Sequence, residues 1–159
     1  MAVETKKVQG RRSVHYESYA DLLADAETMV ASDVKLLGNW SLGQILKHVA
    51  TSYHTTIDGI DLSIAWPIRL LVKTFMKKRF LNKPMPAGFK IPRKLEGKFI
   101  PDESTDAREA LEELRAAVER VQSAPKFAMH VMLGEMTAEE WEKFNLRHAE
   151  AHMSFVVPQ

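Results

Sequence analysis

Residues 137–156 read TAEEWEKFNLRHAEAHMSFV and carry the pattern of a helix that packs along one seam. Thr137 and Glu140 form a capping box, which commonly opens a helix, and we expect this helix to run to about Val156. After the cap, five side chains recur at spacings of four, three, four and three; they are Trp141, Asn145, His148, His152 and Phe155. Because a buried polar group without a partner costs about 1–3 kcal/mol, this seam needs partners for an amide and two imidazoles.

Three further segments repeat apolar residues at helical spacing; they cover about 18–31, 41–57 and 105–122. Ser18 is a good N-cap for the first segment, and Ser41 with Gln44 makes a capping box for the second. Strand signals elsewhere are too short to build a sheet. With 159 residues, 45% of them apolar and 27% charged, the chain is predicted to form a single all-α domain over 1–159.

Residues 60–100 differ in composition from the predicted helices on either side. They hold four of the seven prolines, and from Arg69 to Lys98 ten Lys or Arg residues accompany one acid, Glu96. Residues 64–80 could be helical, and beyond them the prolines predict irregular chain. We therefore interpret 60–100 as an irregular basic insert between the second and third of the four helices. Residues 1–15 are interpreted as a basic tail that we expect to be partly mobile.

The chain contains no cysteine. This excludes a disulfide framework, a thiolate zinc site and a cysteine nucleophile, so a metal would need ligands from His, Asp, Glu or backbone oxygen. The N-terminal basic residues are not followed by an apolar stretch, which argues against an export signal. No apolar run reaches the roughly 18 residues of a membrane span. We expect a cytoplasmic location.

His148 and His152 lie one helical turn apart, so both rings can reach one ion. His48 lies on the predicted helix at 41–57, beside its apolar stripe and among small polar residues, as in the rim of a wet cavity. Three imidazoles from two helices would fill three positions of a metal ion and leave at least one open. The alternative is that the histidines are core residues whose hydrogen bonds are satisfied within the protein.

Gln44 and Asn145 each lie one turn before a candidate ligand. We expect them either to contact the metal ligands or the substrate, or to be plainly solvated; the sequence does not separate these two interpretations. Trp141 could line the same cavity, but its place in the seam favours the core. No acidic residue occupies an obvious seam position, so no general base and no catalytic residue beyond the metal ligands is assignable.

Two motifs resemble the DinB-like superfamily, which includes the YfiT-type metal-dependent hydrolases. Asn39-Trp-Ser-Leu-Gly-Gln-Ile-Leu-Lys-His48-Val-Ala resembles its second helix, and Leu133-Gly-Glu-Met-Thr-Ala-Glu-Glu-Trp141 followed by Arg147-His-Ala-Glu-Ala-His152 resembles its last. The likeness covers about 16–157 and is to a bacterial branch named only as a domain of unknown function. It implies a four-helix bundle in up-down-down-up order, Zn²⁺ or Ni²⁺ on His48, His148 and His152, and a homodimer.

The resemblance also implies an enzyme that acts on a small molecule. Characterised relatives include transferases and isomerases that use low-molecular-weight thiols such as bacillithiol or mycothiol, and the metal would activate the thiol as a thiolate or a water molecule as hydroxide. The alternative is a non-catalytic helical bundle that binds nucleic acid or an acidic lipid surface through the basic 69–98 segment. The functional hypothesis is therefore a metal-dependent hydrolase or thiol S-transferase, with binding of an anionic partner as the second possibility.

Overall fold

A computed structural model describes residues 3–159 of the chain. Within this range the elements are a 3₁₀ turn (Thr5–Lys7), α1 (Tyr19–Ala31), β1 (Val34–Leu36), α2 (Leu42–Asp58), α3 (Trp66–Asn82), α4 (Arg93–Phe99), α5 (Ala107–Ser123), α6 (Ala138–Met153) and β2 (Val156–Pro158). The chain is mostly helical, as predicted. None of the helices in the described range is long and apolar enough to cross a membrane.

The helix starts follow the capping signals of the sequence. Ser18, Ser41 and Thr137 each accept a hydrogen bond from the backbone N–H three residues later. In each case the side chain of that later residue accepts a hydrogen bond from the backbone N–H of the capping residue. Asp106 caps α5 by accepting from two backbone N–H groups of its first turn. Because these caps satisfy N–H groups that have no partner inside a helix, they fix where the helices begin. The four helices predicted from the sequence are confirmed to within a few residues.

The hydrophobic core lies among α1, α2, α5 and α6. Leu22, Leu46, Leu114 and Ala149, one from each of these helices, are fully buried. Helix α2 approaches the turn before α5 so closely that a Cβ atom at Gly43 would overlap the carbonyl oxygen of Thr105. The close contact holds α2 in a fixed position, and α2 carries one of the candidate metal ligands.

The possible helix at 64–80 is present, and the expectation of irregular chain beyond it is wrong only at 93–99, which are helical. Helix α3 fills 66–82 with Pro67 in its first turn, and the short helix α4 follows Pro92, which stands at its N-cap. Irregular chain is confined to the connections on either side of these helices. Proline fits at the start of a helix because the missing N–H has no partner there, so the prolines delimit two helices rather than preventing them.

The expectation of no sheet is wrong, and the last helix ends three residues before the expected Val156. Helix α6 ends at Met153, and the chain then extends into β2, which pairs antiparallel with β1. Val156 lies opposite Leu36, and Pro158 lies opposite Val34. Strands of three residues separated by more than a hundred positions leave no local pattern to recognise. Pro158 is tolerated because each strand of a two-stranded ribbon has a free edge.

The N-terminal segment contacts the body of the protein through two arginines. Both terminal nitrogens of Arg12 donate to the carboxylate of Asp25 on α1, each at 2.8 Å. The Arg11 guanidinium donates to the Ser154 hydroxyl and to the carbonyl of Ala151 at the end of α6. The part of the expected tail at residues 1 and 2 lies outside the described residues.

Candidate metal centre

Three histidines converge between α2 and α6. His48 lies on α2 and is buried, whereas His148 and His152 lie one turn apart on α6 and are half-buried. The Nε2 atom of His148 lies 3.3 Å from Nε2 of His48 and 3.0 Å from Nε2 of His152. This is the only group of three or more metal-binding side chains among residues 3–159, and it joins the three residues that the sequence predicted.

The two separations from Nε2 of His148 fit ligands of a single divalent ion, and all three ligand atoms lie within 4.8 Å of one another. Zinc binds histidine nitrogen at about 2.0–2.1 Å, so two ligands of a tetrahedral ion stand about 3.3–3.4 Å apart. The two measured separations, 3.3 and 3.0 Å, agree with this value to a few tenths of an ångström. The residues present therefore fit a bound Zn²⁺ or a similar ion, and because they supply three ligands, a tetrahedral ion would take its fourth from outside the cluster.

The orientation of His48 is set by a backbone carbonyl. Its Nδ1–H donates to the carbonyl oxygen of Phe99, the last residue of α4, at 2.7 Å, which leaves the Nε2 lone pair directed at the other histidines. Metal-binding histidines commonly donate their second nitrogen in this way, because the bond fixes both the tautomer and the ring orientation. Phe99, near the C-terminal end of the basic insert, is thus part of the site.

Gln44 holds the same segment two residues further along. Its Nε2 donates to the carbonyl of Pro101 at 2.9 Å, while its Oε1 accepts from the backbone of Ser41 in the capping box of α2. Gln44 and His48 therefore attach residues 99–101 to α2 at two points one helical turn apart. Gln44, for which contact with the ligands or substrate was one of two expectations, is buried. Its side chain contacts the segment that orients His48.

Burial keeps the three imidazoles uncharged. It lowers the pKa of His48, and it lowers the pKa of His148 to about 3, with the neighbouring His48 adding to the effect. The pKa of His152 falls well below its ordinary value because of burial and the nearness of His148. Only the neutral ring offers a lone pair to a metal, so the cluster is in its ligand form at neutral pH.

Trp40 forms a wall of the site that the sequence analysis did not assign. Its ring stacks on that of His152, with the planes 5° apart and the centroids separated by 5.6 Å, and it lies 4.8 Å from the ring of His48. The position immediately before the N-cap of α2 was the available signal, since it places a side chain beside the first turn. The hydrogen bond from His48 to Phe99 has no signal in the sequence, because a backbone carbonyl is present whatever the side chain.

Asn145 and Trp141 lie in other surroundings. The Asn145 amide donates to the hydroxyls of Tyr19 and Thr56 at 3.1 and 3.3 Å, and its backbone carbonyl accepts from Tyr53. Trp141 is buried and packs against the rings of Phe144 and His130. The hydrogen bonds of Asn145 go to a buried polar network of the core, and a role for either residue towards ligands or substrate stays a prediction.

Comparison with known families adds one finding. A family described as "Protein of unknown function (DUF1569)" matches residues 8–159. No curated protein and no solved structure matches the chain. The match covers all of the helices and strands above, including both helices that supply the histidines.

Proposed function

We propose that this chain, which belongs to the family described as "Protein of unknown function (DUF1569)", is an enzyme that binds one Zn²⁺ or Ni²⁺ ion on His48, His148 and His152. The observation that carries the proposal is the convergence of three uncharged Nε2 atoms, at 3.0 and 3.3 Å, on a half-buried side of the protein. A structural site would use a fourth protein ligand, whereas a catalytic site keeps a position open.

The ligand set suits Lewis-acid chemistry. When bound, a divalent ion on three neutral ligands keeps its full charge and can lower the pKa of a thiol or a water molecule. The protein would contribute the orientation of His48 through Phe99 and the shielding of His152 by the stacked Trp40 ring. Both contacts hold the ligands in place before any substrate arrives, which reduces the reorganisation that a reaction requires.

The reaction classes that fit are S-transfer from a low-molecular-weight thiol and hydrolysis of a small molecule. Among residues 3–159, no carboxylate belongs to the histidine group, so a side chain to accept a proton from water is missing from it. A thiol has an ordinary pKa of about 8.5 and ionises without such a base once a cation is near. A metal-bound water molecule likewise ionises near neutral pH without such a base, so the donor set fits both classes.

The DinB-like resemblance remains part of this proposal. It carries with it the up-down-down-up order of a four-helix bundle and the homodimer, and it is supported by the two motifs that supply Gln44, His48, His148 and His152. Sedimentation velocity of the purified protein tests the homodimer. A monomer at all accessible concentrations would remove that part of the proposal and leave the metal site unaffected.

Metal content tests the site itself. Protein purified without an affinity tag or chelator should carry about one zinc or nickel ion per chain by elemental mass spectrometry. In His148→Ala the affinity for added zinc should fall by more than about 100-fold, because loss of a ligand exceeds the 10- to 100-fold effect of losing a ligand's support. The matched control is His54→Ala, the same change on α2 outside the cluster, which should keep the metal.

Gln44→Ala tests the positioning of His48 without removing a ligand. We expect zinc affinity to fall about tenfold, since the segment that accepts the His48 bond loses one of its two attachments. If the parent protein takes up neither zinc nor nickel, or if His148→Ala binds them equally well, the proposed site is wrong. Metal-loaded protein that turns over neither thiol-transfer nor hydrolase substrates would contradict the enzymatic part alone.

A further inference from the structure

Helix α3 carries a row of large apolar side chains that face solvent. Ile68, Leu71 and Phe75 follow one another at spacings of three and four residues, so they share one face of the helix. Their exposed fractions are 56%, 60% and 72%. Trp66, at the first turn, and Phe89, beyond the helix, are exposed to a similar degree. Soluble surfaces rarely leave so many large apolar groups together in water.

The opposite face of α3 is already attached to the protein. Leu81 is buried, and Lys77 pairs with Glu140 of α6 at 2.8 Å and donates to the backbone carbonyl of Glu135 at 3.2 Å. The helix is thus held to the protein through Leu81 and Lys77, while its exposed row lies on a different face. Turning the exposed row towards the core would break these contacts, so the row is available for a partner from outside the chain.

Positive charge surrounds the exposed row. Lys78 and Arg79 occupy the next turn of the same face, and the segment from Arg69 to Lys98 holds ten basic residues with Glu96 as its one acid. Two of the ten, Lys77 and Lys94, pair with carboxylates; the others have no ion-pair partner among residues 3–159. The surface therefore offers apolar and cationic groups together and has almost no anionic group to balance them.

We propose that this exposed face of α3, extended by Phe89, binds the surface of an anionic lipid bilayer. An interfacial helix buries an apolar row at the boundary of headgroups and acyl chains, while its Lys and Arg side chains contact the phosphates. Each basic residue near an anionic membrane contributes about 1 kcal/mol, which gives roughly a fivefold gain in affinity. The helix lies on the membrane and does not span it, in agreement with its length and composition.

Two other occupants fit the surface less well. Nucleic acid would match the positive charge through its phosphates, but it would leave Ile68, Leu71 and Phe75 without an apolar environment. A second copy of the chain would cover the apolar row, but it would also bring Lys78 and Arg79 of both chains together without an acid between them. An anionic bilayer matches both properties of the face at once.

Vesicle sedimentation tests the proposal on the full chain. The protein should pellet with vesicles of phosphatidylcholine and phosphatidylserine, stay free with phosphatidylcholine alone, and be released by salt. The triple variant Ile68→Ser, Leu71→Ser, Phe75→Ser should bind at least about 100-fold more weakly, because three apolar side chains no longer leave water. All three residues are exposed, so folding should be unchanged by circular dichroism.

A matched pair of charge variants separates this surface from general electrostatics. Lys78→Gln with Arg79→Gln should weaken vesicle binding about 10- to 30-fold. Lys35→Gln with Lys126→Gln removes the same charge from exposed positions elsewhere and should have little effect. The proposal is overturned if the parent ignores phosphatidylserine vesicles at low salt, or if the two charge variants bind alike.

Two further results would assign the face to another occupant and overturn the proposal. The first is duplex DNA binding that depends on Lys78 and Arg79 in a protein whose vesicle binding does not require the apolar row. The second is a dimer in sedimentation velocity that the triple serine variant dissociates. Zinc binding measured on the same variants should equal that of the parent, because α3 contacts α6 at Glu140, two turns before His148.

Discussion

His48 of the histidine cluster lies close in sequence to the basic insert at 60–100, but the cluster and the insert differ in burial and in the pairing of their polar groups. Around His48 the side chains are buried and each polar contact restricts the next, from Gln44 through Pro101 and Phe99 to the imidazole ring. On α3 large apolar groups are exposed and most charges lack a partner. Burial therefore decides what a side chain contributes to stability in the first region, and exposure leaves the side chains of the second available for binding.

Two leucines on helices of equal length give the largest expected contrast. Leu46 on α2 is fully buried, whereas Leu71 on α3 is 60% exposed. Leu46→Ala should lower the free energy of unfolding by about 2–5 kcal/mol, because it removes buried methyl groups and leaves a cavity. Leu71→Ala should change it by no more than about 0.5 kcal/mol. Urea unfolding followed by circular dichroism measures both.

A large loss of stability in Leu71→Ala would contradict this contrast. It would mean that the outer face of α3 is covered within the protein or within an oligomer, and the bilayer proposal would then lack its surface. An unchanged midpoint in Leu46→Ala would contradict the packing of α2 against the other core helices.

Acid should destabilise the protein through His130, which lies in the connection between α5 and α6. Burial lowers the pKa of His130 to about 4, and its Nδ1 accepts from the backbone N–H groups of Met132 and Leu133. Because the unfolded chain binds the proton near pH 6.5 and the folded chain only near 4, the stability present above 6.5 declines as the pH falls towards 4. The decline amounts to at most roughly 3 kcal/mol.

His130→Asn is the variant that isolates this effect, since an asparagine oxygen can accept the same two N–H groups but does not titrate. The difference in unfolding free energy between neutral pH and pH near 4 should be smaller in the variant than in the parent. Equal differences would show that the acid sensitivity of the protein arises from other groups.

Replacing one glycine in each region by alanine adds a single methyl group, and we expect the two replacements to change stability in opposite directions. At Gly43 on α2 a Cβ atom would overlap the carbonyl oxygen of Thr105, whereas at Gly97 on α4 nothing lies within 4 Å. Gly43→Ala should destabilise the protein by about 1–3 kcal/mol, since two backbone segments must move apart. Gly97→Ala should stabilise it by about 0.5–1 kcal/mol, because alanine favours a helix. Thermal unfolding of both variants checks the opposite signs.

Features encoded locally were predictable from the sequence. The capping boxes at Ser41 and Thr137 lie within four residues of chain, and they located two helices almost to the residue. The pair His148 and His152 is local in the same sense, while the addition of His48 rested on its small polar neighbours along the predicted helix and then on the family resemblance.

Features that depend on distant contacts were not predictable. The pairing of β1 with β2 joins segments more than a hundred residues apart, and the Phe99 carbonyl acts independently of its side chain. The prolines beyond α3 misled at one place, because the chain after Pro92 forms the short helix α4. Proline restricts the chain at one position, and a composition rich in proline does not show whether that position interrupts a helix or begins one.

Two ion pairs test how firmly the N-terminal segment is attached. Asp25 pairs with Arg12 through two bonds and also accepts from the Tyr16 hydroxyl at 2.5 Å. Both partners of this pair are about four-fifths buried. Asp61 pairs with Lys94 of the insert where both side chains are exposed. Asp25→Asn should therefore cost about 1–3 kcal/mol, and Asp61→Asn should leave the unfolding free energy unchanged.

The pH dependence of the Asp25→Asn effect distinguishes a lost charge from lost packing. Burial by itself would raise the pKa of Asp25, but the hydrogen bonds from Arg12 and Tyr16 outweigh it and hold that pKa below its usual 3.8. The stabilisation is thus present above pH 3.8 and is lost as the pH falls through the lowered value. Parent and Asp25→Asn should converge in stability at low pH. If Asp25→Asn stays less stable than the parent at low pH, the carboxylate acts through its shape, and Arg12 does not anchor the N-terminal segment by charge.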